Sequence, residues 1–138
     1  MKYALELQDE LFSLFIMDAE ICTLLNINDS TDIADCSTKI RRGIQPAKVV
    51  NDAPDLFLDY FVVPSYSIDT GNYLTNGTIL EFDIYGKYKG QIAKLFRAVN
   101  RVLKENYEDM RIIAEGNMDS PVTGLYLYMF RTKPLVKA

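Results

Sequence analysis

The stretch that decides the fold is TILEFDIYGKYKGQIAKLFRAVNRVLKEN, residues 78–106. Its first eight residues alternate with the period of a β-strand that has one buried face. Leu80, Phe82 and Ile84 form the buried face, and Glu81, Asp83 and Tyr85 point outward. From Gly90 the period becomes helical, and one helix face carries Ile92, Leu95, Phe96, Val99, Val102 and Leu103. Burying each of these six is worth roughly 1.5–3 kcal/mol before the entropy loss. The strand and the helix are therefore predicted to pack face to face and to seed the core.

The composition predicts a single globular domain that covers residues 1–138. Apolar residues make up 49% of the chain and charged residues 25%, which suits one domain with one core. The net charge of −4 argues against a generic nucleic-acid binder, because such domains are usually basic. No segment reaches the ~20 apolar residues needed to span a bilayer, and early acids argue against a signal peptide. We expect a protein that stays in the cytosol of the producing cell without membrane contact.

The first part of the chain is predicted to be helical. Residues 5–25 are apolar around most of the helix, so this helix should be covered on more than one side. The sheet covers one side, and either the loop around residue 45 or a neighbouring subunit covers the other. Its narrow polar stripe consists of Glu6, Asp9, Glu10, Ser13 and Glu20. A short helix is predicted over residues 30–39, and the double arginine at 41 and 42 is interpreted as a solvated turn or, alternatively, a phosphate contact.

The remaining elements are predicted to be strands around the helix of residues 90–106. Residues 56–66 and 78–85 are expected to form an antiparallel pair, joined by a long loop. Tyr66 and Tyr73 lie in that loop and are candidates for partner contacts or for simple packing. Residues 110–115 and 125–132 are predicted strands with a turn-rich loop at 116–124 between them. The fold class is therefore α+β, with an antiparallel or mixed sheet of about four strands packed against two main helices.

The sequence offers little for catalysis. Histidine is absent, which removes the commonest general base and the commonest zinc ligand. The carboxylate pairs Glu81 with Asp83 and Glu108 with Asp109 resemble ordinary exposed acids more than a hydrolase site. Cys22 and Cys36 are expected to be reduced thiols. We predict that the chain is not an enzyme and has no catalytic residues, no cofactor and no metal.

One charge pattern stands out on the helix of residues 90–106. Lys94, Arg97, Arg101 and Lys104 fall within about 80° of arc at ~100° per residue, opposite the apolar face. We call these four residues the basic stripe. It is interpreted as a solvated face, as an interface to an acidic protein surface, or as a contact to nucleic-acid phosphates. Glu6 and Glu10 of the first helix are candidate partners across a subunit boundary, rather than within one chain.

Three segments carry a resemblance to a known family. They are DLFLDYFVVP at residues 55–64, LEFDIYG at 80–86 followed by the amphipathic helix, and SPVTGLYLY at 120–128. Together with the leading helix, this order resembles the tail terminator (tail completion) proteins of long-tailed bacteriophages over roughly residues 5–131. The resemblance lies in the order of elements and a few turn residues, and it transfers no contact residue.

The resemblance implies a structural virion protein, made in the host bacterial cytoplasm and located in the tail or neck. Such proteins form a homo-oligomeric ring, usually of six copies, that caps the tail tube. The ring binds the tail tube protein and the head–tail connector or stopper protein, and DNA crosses it only as passing cargo. Two alternatives stay open, namely another head–tail neck or stopper component, and a small nucleic-acid-binding or regulatory module that uses the basic stripe.

Overall fold

The described residues form four helices and seven strands. The computed structural model describes residues 4–43, 54–63, 79–108, 110–132 and 136–137. The helices are α1 (Ala4–Ile16), α2 (Ala19–Leu24), α3 (Ile33–Lys39) and α4 (Lys89–Asn106). The strands are β1 (Ile40–Arg42), β2 (Leu56–Val62), β3 (Leu80–Gly86), β4 (Tyr107–Glu108), β5 (Ile112–Met118), β6 (Tyr126–Thr132) and β7 (Val136–Lys137).

The main sheet is mixed and has five strands in the order β1-β2-β3-β6-β5. The β1–β2 pair is parallel, and the other three pairs are antiparallel. Strands β4 and β7 form a separate two-stranded sheet. The predicted α+β class and the antiparallel pairing of β2 with β3 are confirmed. The additional strand of the main sheet is β1, whose two arginines were predicted to lie in a turn.

The predicted packing of β3 against the following helix is also confirmed. Phe82 of β3 is fully buried. Its ring centroid lies 5.7 Å from that of Tyr60 and 4.8 Å from that of Phe130, on the two flanking strands. Helix α4 places Leu95 and Val99 in the same core. The close approach requires a glycine at position 86, because a Cβ there would lie 2.6 Å from Cγ1 of Ile92. Strand and helix therefore form the centre of the molecule.

The single helix predicted over residues 5–25 is wrong, because the chain breaks it at Met17 and Asp18. Asp18 is the N-cap of α2, and its side chain accepts a hydrogen bond from the backbone nitrogen of Ile21 at 3.1 Å. Aspartate favours this arrangement because its carboxylate satisfies an otherwise unpaired helix donor. Helix α1 contacts α2 and α4 as well as β1 and β2. Elements of the same chain thus supply a second cover for α1.

The solvated turn predicted at the double arginine is wrong as well. Arg41 and Arg42 belong to β1, which pairs with residues 58–60 of β2. The side chain of Arg41 is 1% exposed, and its guanidinium carbon lies 4.1 Å from the centroid of the Phe57 ring. Arg42 lies on the opposite face, 4.4 Å from the ring of Phe12. The short helix before β1 is present as α3, with Asp32 as its N-cap.

The hairpin β5–β6 differs from its predicted limits. The first strand was predicted to end at residue 115, but β5 continues to Met118, so the first three residues of the predicted loop 116–124 are strand. Pairing with β6 continues along them, with Gly116 opposite Met129 and Met118 opposite Leu127. Phe130 and Leu127 lie on opposite faces of β6 and are both buried, so this strand is covered on both faces. The long loop predicted between residues 56–66 and 78–85 lies outside the described residues.

Candidate functional site

The basic stripe lies on the outer side of α4, and its four members are not equivalent. Lys94, Arg97 and Lys104 are exposed, whereas Arg101 is partly buried. The opposite face of the helix carries the buried residues Ile92, Leu95, Ala98, Val99, Val102 and Leu103. The predicted division of this helix into a core face and a charged face is therefore correct.

Arg101 has acidic partners within its own chain. Its Nη2 atom donates to both carboxylate oxygens of Asp18 at 2.8 Å and to Glu20 at 3.2 Å. Its Nη1 atom donates to Glu105 at 3.3 Å. The hydrogen bond to Asp18 raises the pKa of Arg101 above its ordinary value. The expectation that acidic partners of the stripe lie only across a subunit boundary is wrong for Arg101, because the break before α2 brings Asp18 and Glu20 to α4.

The other predicted contact residues are placed as follows. Glu6 is exposed on α1, and Glu10 is partly buried on the same helix. Burial and then the charge of Glu10 raise the pKa of Tyr107, which directly follows α4. Glu10 therefore faces the end of that helix within the same chain. Tyr66 and Tyr73 lie outside the described residues.

A groove separates the first half of α4 from the β5–β6 hairpin. Its volume is about 320 Å³, and it is lined by Lys89, Ile92, Ala93, Phe96, Arg97, Asn117, Tyr126 and Tyr128. The Phe96 ring meets the Tyr128 ring edge to face, with centroids 5.4 Å apart. The Nζ atom of Lys89 lies 5.0 Å from the centroid of the Tyr126 ring. The groove thus combines an aromatic floor with two cations.

The second face of the sheet carries a buried polar row. The register places Arg41 beside Asp59 and Asp59 beside Asp83 on three adjacent strands. Asp59 is 6% exposed and Asp83 is 8% exposed, so the prediction that Asp83 is an ordinary outward-facing acid is wrong. Glu81 is also shielded, and it accepts a hydrogen bond from Nε of Arg131 at 2.7 Å.

The acids are buried because this face has its own apolar cover. Phe57, Tyr85, Val122 and Leu127 form a second hydrophobic cluster there. No local sequence pattern indicates this cover, since Val122 comes from a loop far along the chain from β2 and β3. Burial raises the pKa of Asp59 to about 7 and also raises the pKa of Asp83. The burial of both carboxyls separates them from any substrate in solution.

The remaining candidates for chemistry are isolated. Cys22 and Cys36 are free thiols, as predicted. Burial, followed by the charge of Asp18, raises the pKa of the Cys22 thiol, which makes it less reactive. Glu108 is exposed, and Asp109 lies outside the described residues. Among the described residues, no group of three or more histidine, cysteine or acidic side chains could hold a metal ion.

Comparisons with known proteins add no family assignment. Neither a protein-family model nor a curated protein sequence matches this chain. None of the helices in the described part is long and apolar enough to cross a membrane. The groove is the site that sequence reasoning missed, because Phe96 was assigned to the core and residues 125–132 were predicted only as a strand. The tyrosine alternation at 126 and 128 was its one visible signal.

Proposed function

We propose that this chain is a non-enzymatic structural subunit of a phage head–tail junction. In this role it forms a ring that ends the tail tube and joins the tail to the head connector. The virion neck is its place of action, and the tail tube and connector proteins are its partners. The resemblance in the order of elements supports this assignment, together with an α+β domain that has an exposed edge strand and an exposed basic helix face.

The edge strand β5 carries this proposal. It is seven residues long, lies at one end of the main sheet, and pairs only with β6 among the described residues. Ile113 is 42% exposed and Met118 is 53% exposed. A long edge strand with exposed apolar side chains is a template for pairing with another chain. In a ring, this edge meets a different surface of the next copy, and the same contact recurs at every subunit boundary.

We predict that two charges on this edge prevent ring assembly. The variant is Ile113→Lys with Met118→Lys, because lysine on an edge strand opposes pairing with another chain. Both positions are exposed, so the free energy of unfolding of the monomer should change by only about 0.5 kcal/mol per site. Sedimentation velocity and electron microscopy of the purified chain measure the assembly.

The matched control is Met17→Lys with Ile33→Lys, which changes two exposed apolar residues away from the edge. The control should assemble like the unmodified chain. The function itself is tested by mixing heads and tails that were produced without this chain. The unmodified chain should restore their joining, and the edge variant should not. A chain that stays monomeric and restores no joining would contradict the proposed function.

A further inference from the structure

The groove beside α4 has the features of a binding site for a short segment of another chain. Its floor is the contact between Phe96 and Tyr128, continued by Ile92 and Ala93. At about 320 Å³ it lies at the small end of ligand pockets, which enclose roughly 300–1,000 Å³. An apolar floor of this size accommodates one large apolar side chain. Binding sites commonly combine such a floor with a few polar groups that orient the ligand.

Two cations belong to the groove. Lys89 lies over the Tyr126 ring, and Arg97 forms no hydrogen bond or ion pair with the described residues. They are eight positions apart on one helix, which corresponds to ~12 Å along its axis. An extended peptide covers that distance in about four residues at ~3.3 Å each. The spacing of the cations therefore matches two acidic side chains that flank an apolar one.

We propose that this groove binds an extended acidic peptide segment of a partner protein. One aromatic or branched aliphatic side chain of the segment lies on the floor that the rings of Phe96 and Tyr128 form together. A carboxylate on each side of it pairs with Lys89 and with Arg97. Asn117 on β5 supplies an amide that can hydrogen-bond the backbone of the segment. The segment thus has the pattern acid, spacer, apolar residue, spacer, acid.

The position of one acidic residue favours a short acidic peptide over a nucleic acid. Glu115 on the neighbouring strand accepts a hydrogen bond from the Tyr128 hydroxyl at 2.5 Å, which places a carboxylate at the edge of the groove. A continuous phosphate backbone would meet this acid, whereas a peptide can present a neutral residue there. The inference does not depend on ring formation, because each subunit contains the groove completely.

The test is an NMR titration of the 138-residue chain with a synthetic peptide. The probe carries glutamates at its first and fifth positions and phenylalanine at its third, with alanine between them and blocked ends. The amide signals of Ala93, Asn117 and Tyr126 should shift together and saturate. Replacing both glutamates by glutamine, or phenylalanine by serine, should weaken binding about tenfold or more.

Two variants of the chain make the test specific. Lys89→Glu with Arg97→Glu reverses both groove charges and should weaken binding about tenfold or more. Lys94→Glu with Lys104→Glu makes the same charge change on the same helix outside the groove and should change affinity less than about threefold. Ala93→Trp fills the floor and should abolish binding while leaving the amide signals of the distant β1 unchanged.

Several results would overturn the proposal. An equal effect of the two charge variants would mean non-specific attraction, and shifts confined to other surfaces would place binding elsewhere. Absence of saturable shifts at about 5 mM peptide would exclude useful affinity. A single-stranded DNA oligonucleotide that displaces the peptide and binds more tightly would assign the groove to nucleic acid. Self-association that Ala93→Trp abolishes, without peptide binding, would assign it to a second copy. Sedimentation of the same samples reports ring assembly separately.

Discussion

At the scale of single residues, the buried acids of the second sheet face are the most sensitive groups. Asp59 is shielded from water, and burial outweighs the attraction of Arg41 on β1, so its pKa rises from 3.8 to about 7. The pKa of Asp83 beside it is also raised, first by burial and then by Glu81, while the charge of Arg131 on β6 lowers it. The folded protein therefore binds these protons more tightly than the unfolded chain does.

This difference in proton binding between the folded and unfolded states predicts that stability falls as the pH rises. A carboxyl whose folded-state pKa is raised contributes fully to the free energy of unfolding below about pH 4. That contribution is lost as the pH rises to about 7. For Asp59 the loss is roughly 1–4 kcal/mol of unfolding free energy. Urea unfolding between pH 4.5 and 8 should therefore show Asp59→Asn and Asp83→Asn gaining stability relative to the unmodified chain with increasing pH.

The exposed residue Asp29 provides the control for this measurement. Asp29→Asn should follow the same pH dependence as the unmodified chain, because this carboxylate is not buried. The relative slope decides the outcome, whatever the absolute stability of each variant. Parallel curves for all four proteins would show that Asp59 and Asp83 keep ordinary protonation in the folded state.

At the scale of elements, the basic residues of helix α4 differ in whether they contact another helix of the chain. Arg101 binds Asp18, the N-cap of α2, and so connects two helices of one chain. Lys94 and Lys104 are exposed and form no hydrogen bond or ion pair with the described residues. Substituting Arg101 would therefore mix a loss of tertiary structure with any loss of assembly.

We predict that the exposed part of the basic stripe takes part in subunit or neck contacts and not in folding. Lys94→Glu with Lys104→Glu should leave thermal unfolding of the monomer nearly unchanged, since exposed pairs are worth only about 0–1 kcal/mol. Assembly or attachment to tails should fail, and more severely at low salt, because screening is weaker there. Sedimentation and the joining of heads to tails measure the effect.

The outcome separates the three interpretations of the stripe. Unchanged assembly and joining would identify a solvated face. Unchanged assembly together with lost DNA binding would favour the nucleic-acid interpretation. Asp29→Lys serves as a reference, because it reverses one exposed charge that lies outside both α4 and β5.

At the scale of the whole molecule, one aromatic residue joins the layers. Phe82 lies between Tyr60 and Phe130 in the sheet and 6.3 Å, centroid to centroid, from Phe15 of α1. Helix α4 packs on the same strand. Because both helical regions depend on this centre, the domain should unfold in one cooperative transition.

We predict that Phe82→Ala lowers the unfolding free energy by about 3–5 kcal/mol, the usual effect of removing a buried aromatic ring. Phe82→Leu should lower the unfolding free energy much less, because it leaves a smaller cavity. Circular dichroism and tyrosine fluorescence should report the same midpoint for each protein. Separate midpoints for the two signals would contradict a single core that both helical regions share.

The sequence by itself determined the elements whose patterns are local. Alternation over residues 78–85 and the helical spacing after Gly90 predicted β3, α4 and their packing, because side-chain period follows directly from backbone geometry. The charged and apolar sides of α4 were predicted for the same reason. From these elements and their order came the α+β class.

Only the tertiary structure decided which faces are covered and which charges meet. Asp83 has the alternation of an outward acid, yet a cover containing Val122 and the register beside Asp59 make it a buried one. Arg41 looks like a turn residue until β1 pairs with β2. The groove exists because α4 and the β5–β6 hairpin come together after the chain folds. Such contacts join residues far apart in the chain, and local periodicity contains no information about their distance in space.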